Sequence, residues 1–232
     1  MIAMRLIALL GAAVLLTGAK PAPRDPVNPT CPKSLDWSAN RQMQFTVKQV
    51  GTAKVLLAEG PIDAGVPDRM MAAIEANKPV DEIWFRSPGG DAAAGNAAGR
   101  MIRKAGIPTR IPAGWACFSA CNFMFMGGPI RVVEPGGLFI VHMFTHTGDR
   151  EAVAEEVSKG FDNTIGLIGD IEQSSALLAS DDNDFLIRMG VSRKLLTDVM
   201  YKQRAVADGD DKSTRRCLTI DEVYKYNVAN LR

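Results

Sequence analysis

Apolar positions recur along this chain in two rhythms, one of period two and one near three and a half. Gln42 to Gln49 and Lys54 to Ala58 carry strand-like apolar stretches, with Gly51 as the turn between them. Over Val66 to Asn77 the spacing changes. Met70, Met71, Ile74 and the alanines make a helical face, closed by Pro79. Glu82 to Phe85 predicts a short buried strand that runs into Ser87-Pro88-Gly89-Gly90, after which Asp91 caps a small-residue helix to about Lys104. Ile107 to Ile111 is the next strand. Gly114 to Phe118 leads into Ala120 to Met126, which is apolar almost throughout and therefore predicts a helix buried on every side. Strands follow at Ile130 to Val133 and Leu138 to Phe144, around the turn Pro135-Gly136-Gly137. The pattern is helical from Asp149 to Ser180, with further helices at Asp184 to Met189, Arg193 to Lys202 and Ile220 to Asn227. Repeated strand and helix units predict an α/β fold with mostly parallel strands.

The N-terminal end follows neither rhythm. One positive charge in Met1 to Arg5, an apolar run from Leu6 to Leu16 and the small residues Thr17-Gly18-Ala19 read as a secretory leader over 1–19. The run is shorter than the roughly 20 residues of a spanning helix, so export is preferred to anchoring. A Pro-rich arm is expected over 20–40 and the folded domain over 41–232.

Composition adds exclusions. The 232 residues carry 27 Lys+Arg against 26 Asp+Glu, a net charge of +1, which supplies no basic field for nucleic acid. Neither repeats nor low-complexity tracts occur. Four cysteines in an exported chain favour disulfides, and three connectivities are open. Cys31 with Cys217 and Cys117 with Cys121 is the preferred set. The second pair requires Cys117 to lie in the turn before the helix, because two residues four apart on a regular helix hold their Cβ atoms too far apart.

Three segments carry candidate chemistry. Ser119 opens an apolar helix, where a hydroxyl is ordinarily a cap, yet a helix N-terminus also presents N–H groups that stabilise an oxyanion. His142 ends an apolar strand. The chain has only two His, and a serine nucleophile needs a base that titrates near neutrality. His146 reads as loop, so His142 is the preferred base. Gly89 and Gly90 permit a tight turn and let backbone approach a ligand closely.

In order, Ser87-Pro88-Gly89-Gly90, Cys117-Phe118-Ser119-Ala120-Cys121 with Gly127-Gly128, and Ile140-Val141-His142 resemble the Clp protease proteolytic subunit and its exported relatives in the Clp protease/crotonase superfamily. The resemblance extends over about Val55 to Asn230 and includes Leu218 to Val223. It implies a spiral of ββα units and a serine peptidase site without cofactor or metal. Ser119 would be the nucleophile, His142 the base, and the Gly90 and Ala120 N–H groups the oxyanion hole. The family's acidic third member has no clean match. Aligned from Ser192, Gln203 falls there; aligned from Leu218, Arg215 does. Asp198 is the preferred candidate nearby, with Asp208, Asp210 and Asp211 in a polar loop as others. The implied substrate is a peptide or unfolded protein segment, with no ATP-driven unfoldase outside the cytoplasm and a homo-oligomer left open.

Other classes compete. A catalytically inactive binding or assembly protein would explain the missing acid. A crotonase-type acyl-CoA enzyme fits poorly with export. A zinc site from Cys117, Cys121, His142 and His146 has formal spacing, but on one extended strand the two His would stand about 13 Å apart.

Overall fold

The computed structural model describes residues 28–145, 150–206 and 214–232. The leader expected at 1–19, together with His146, Asp208, Asp210 and Asp211, lies outside the described residues.

Strands β1 (Gln44–Val50) and β2 (Ala53–Glu59) form an antiparallel hairpin, and Gly51 turns it at φ 57°, a conformation that favours glycine. Helix α1 (Val66–Ala76) buries Val66, Met70 and Ile74, which stand four apart on one face. Strand β3 (Glu82–Arg86) alternates, with Ile83 and Phe85 buried. Helix α2 (Ala92–Ala105) starts where the Asp91 carboxylate accepts from Ala94 N–H and stops at Gly106 in the left-handed region. Three short elements follow: β4 (Thr109–Ile111), β5 (Ala116–Phe118) and the wholly buried α3 (Ala120–Met126). Strands β6 (Arg131–Val133) and β7 (Leu138–His142) precede helices α4 (Arg150–Ser158) and α5 (Phe161–Met189). A π-helical turn at Leu195–Val199, a 3-10 turn at Met200–Lys202, β8 (Arg215–Cys217) and α6 (Ile220–Lys225) complete the chain.

The strands make two sheets, β1-β2-β3-β4-β6 and β5-β7-β8. Only β1 with β2 and β7 with β8 pair antiparallel; the other four pairings are parallel. The α/β class with mostly parallel strands agrees with expectation. A parallel bridge between Ser87 and Cys117 joins the end of β3 to β5, so the Pro-Gly-Gly turn meets the second sheet where the apolar helix begins.

Several boundaries differ from the sequence reading. The helical stretch breaks at Gly160, φ 112°, and then runs as one 29-residue helix through the gap expected between Ser180 and Asp184. Asp181 and Asp182 resemble a helix start, but Asp182, Phe185, Leu186 and Met189 continue one buried stripe. Arg193 to Lys202 is a π turn followed by a 3-10 turn instead of an α-helix. Strands β5 and β8 were not expected.

Candidate active site

Ser119 joins β5 to α3 at φ 58° and ψ −124°, and Asn227 is the only other non-glycine residue at positive φ among those described. Such a conformation strains a residue that bears a Cβ, by about 1–3 kcal/mol, and persists only where packing fixes both flanks. Here the flanks are fixed by a disulfide. Cys117 and Cys121 are bonded to each other, and both are fully buried. Cys117 lies in the strand before the helix, so the bond that a regular helix forbids forms across the turn. It also occupies two of the four ligands a zinc site would need. Among the described residues no group of three or more His, Cys, Asp or Glu is placed to hold a metal ion.

The turn directs the Ser119 hydroxyl at His142, with Oγ 2.7 Å from Nε2. Strand β7 supplies the imidazole, and β7 pairs in parallel with β5, Phe118 opposite Ile140. Phe118 packs on the imidazole at 4.8 Å between ring centroids and on Trp37 at 6.4 Å. Burial pushes the His142 pKa below its ordinary value, and a backbone hydrogen bond to Met143 works the other way. With its proton on Nδ1, the ring offers Nε2 as acceptor for the Ser119 hydroxyl.

Glycines bring the third segment against this pair. A Cβ on Gly89 would fall 2.5 Å from the Phe118 carbonyl oxygen and 2.7 Å from Ser119 Cβ, and one on Gly90 2.0 Å from the Ile62 carbonyl oxygen. No larger residue fits either position. Among the described residues neither Gly90 N–H nor Ala120 N–H donates a hydrogen bond. Two unused donors beside a serine–histidine pair are what an oxyanion requires.

No carboxylate hydrogen-bonds His142 among the described residues. Asp198, in the π turn, accepts from Thr197 Oγ1 at 3.3 Å and does not line the cleft at Ser119. Gln203 donates to the Val199 carbonyl. Arg215 lies opposite His142 in the β7–β8 pairing, so the alignment from Leu218 finds the structural neighbour of the imidazole, and that neighbour is basic. The acid that does reach the cleft is Asp182 on α5, which lines it together with Ser119, Ala120 and His142. It was missed because it falls within what reads as a polar break. Its signal was an acidic residue in register with Leu178, Phe185 and Leu186.

No protein-family model and no curated protein matches the chain. Among solved structures it is similar to a ClpP1 mutant from Listeria monocytogenes, with TM-score 0.47 and 16% identity, over 76% of this chain and 88% of that one.

Proposed function

We propose that this protein is an exported serine hydrolase acting on peptides or unfolded protein segments. The observation that carries the reading is Ser119 Oγ held 2.7 Å from His142 Nε2 at a left-handed turn. In the first step Oγ attacks the substrate carbonyl carbon while its proton passes to Nε2. The Gly90 and Ala120 N–H groups hold the oxygen that becomes negative. Collapse of the tetrahedral species breaks the C–N bond, and the imidazolium returns its proton to the leaving amine. Water then attacks the acyl-Ser119 ester by the same route in reverse, releasing acid and free enzyme.

Among the described residues no carboxylate pairs with the imidazolium, and without one turnover is slow relative to a complete triad. Export is supported by the leader pattern and by two disulfides, Cys31 to Cys217 and Cys117 to Cys121, which persist in oxidising compartments. Among the described residues no helix is long and apolar enough to cross a membrane. Phe161, Ile165 and Ile168 leave an exposed apolar stripe on α5, which supports association of copies.

That no carboxylate hydrogen-bonds His142 among the described residues favours a second reading, a binding protein that retains the fold without turnover. Hydrolysis of short fluorogenic peptides and of an unfolded protein separates the two. The hydrolase reading expects cleavage that Ser119→Ala lowers at least a hundredfold with the same thermal midpoint. Equal rates in both proteins, or no cleavage by either, favour the binding protein.

A further inference from the structure

Around Ser119 the cleft is walled by apolar groups, Ala92, Phe123, Leu178 and Met200 among them, with one acid set between. Asp182 is 6% exposed, and no hydrogen bond or ion pair reaches its carboxyl among the described residues. Its position four residues after Leu178 on α5 turns both side chains toward the cleft. Burial, followed by the charge of Asp181, pushes the carboxyl up to about 7. A second unpaired polar group accompanies it. The Tyr201 hydroxyl is buried without a partner and feels the Asp182 charge.

A buried carboxyl without donors destabilises the empty protein, and a guest that brings donors removes the deficit. The geometry points to Asp182 as the specificity determinant of this cleft, receiving the cationic side chain of a Lys or Arg on the acyl side of the bond that Ser119 attacks. The cavity between these walls is about 40 Å³, room for the tip of such a side chain, whose ammonium or guanidinium meets the carboxylate in a charge-assisted pair while the stem lies against the apolar rim. An acidic side chain would set two negative charges together, and an apolar one would leave Asp182 unpaired. With a net charge of +1 the protein has no long-range pull on cations, so discrimination rests on this contact. The inference rests on the hydrolase reading and names the substrate class of that site.

Three covalent reagents test it on the mature protein at pH 8.5, with adducts counted by intact mass. They are a lysine-type and a leucine-type aminoalkyl diphenyl phosphonate and a plain alkyl fluorophosphonate. The expected result is at least tenfold faster labelling by the lysine reagent, a preference that Asp182→Asn abolishes or reverses. This isosteric change removes a buried charge and so favours folding. A wild-type ratio of one or less overturns the inference whatever the variant does, and so does an unchanged preference in Asp182→Asn. In either case labelling by the fluorophosphonate leaves the hydrolase reading intact. No labelling by any of the three overturns both.

Discussion

At Ser119 the backbone, the disulfide and the imidazole converge on one hydroxyl. The elbow places Oγ beyond the helix it precedes, and the Cys117–Cys121 bond spans it, so the strained turn has no free flank through which to relax. His142 then sets the pH response. In the hydrolase reading its neutral form is the base, and burial lowers its pKa below the ordinary 6.5. Ser119 labelling by a fluorophosphonate is expected to rise with pH to a plateau, with its midpoint below 6.5. A midpoint above that value would show an unrecognised anion stabilising the imidazolium. Arg131 illustrates the opposite use of a buried charge. It is 1% exposed and donates to the Gly128, Met189, Asn227 and Val228 carbonyls, and no carboxylate among the described residues pairs with it. Desolvation, and then the Arg103 charge, lower it to about 10. The ends of α3 and α5 present the Gly128 and Met189 carbonyls and the turn after α6 those of Asn227 and Val228, so the guanidinium is satisfied where helices end.

Among the elements, α2 and α3 control the position of Ser119. Gly95 and Gly99 stand four apart on α2 and let α3 approach to backbone contact: a Cβ on Gly95 would meet the Ala120 carbonyl oxygen at 2.6 Å, and one on Gly99 the Phe123 oxygen at 2.3 Å. Gly127 faces Gly99 in turn, where a Cβ would lie 2.2 Å from the Gly99 oxygen. Gly99→Ala is expected to lower stability by about 1–3 kcal/mol in denaturant unfolding, because α3 must move away. Gly166→Ala on α5 meets nothing within 4 Å and is expected to stabilise by about 0.5–1 kcal/mol. Equal midpoints for the two variants would contradict the close approach. The sequence showed a small-residue helix followed by an all-apolar one, but glycine's role as a contact surface depends on the partner helix and is invisible in one segment. Strands β5 and β8 were missed for a related reason. Each is a three-residue strand defined by its pairing with β7, a partner that lies far along the chain.

Over the whole molecule, two sheets share the task of bringing distant residues together. The first carries the Pro-Gly-Gly turn at the end of β3, the second carries Ser119 and His142 on adjacent parallel strands, and the Ser87–Cys117 bridge joins them. The segment around Asn28 pins β8 from outside: Asn28 donates to the Arg215 carbonyl, Cys217 N–H donates to Thr30 Oγ1, and Cys31 bonds Cys217 across 186 residues. This fixes the strand beside His142, so the terminal disulfide serves the site as well as stability. Gly89 and Gly90 were legible because positive φ leaves its mark in residue type, Ser119 because a hydroxyl opens an apolar helix, and His142 because the chain has only two His. Asp182 was not, because an acid on the buried face of a helix carries the same letter as one at a polar break, and only packing distinguishes them. The central claim is that Ser119 is the activated nucleophile, and peptide-mapped mass spectrometry after brief fluorophosphonate treatment tests it most directly. The account predicts a single adduct on Ser119, lost in His142→Ala although the fold is kept. An adduct on another residue, or an unmodified folded protein, would contradict it.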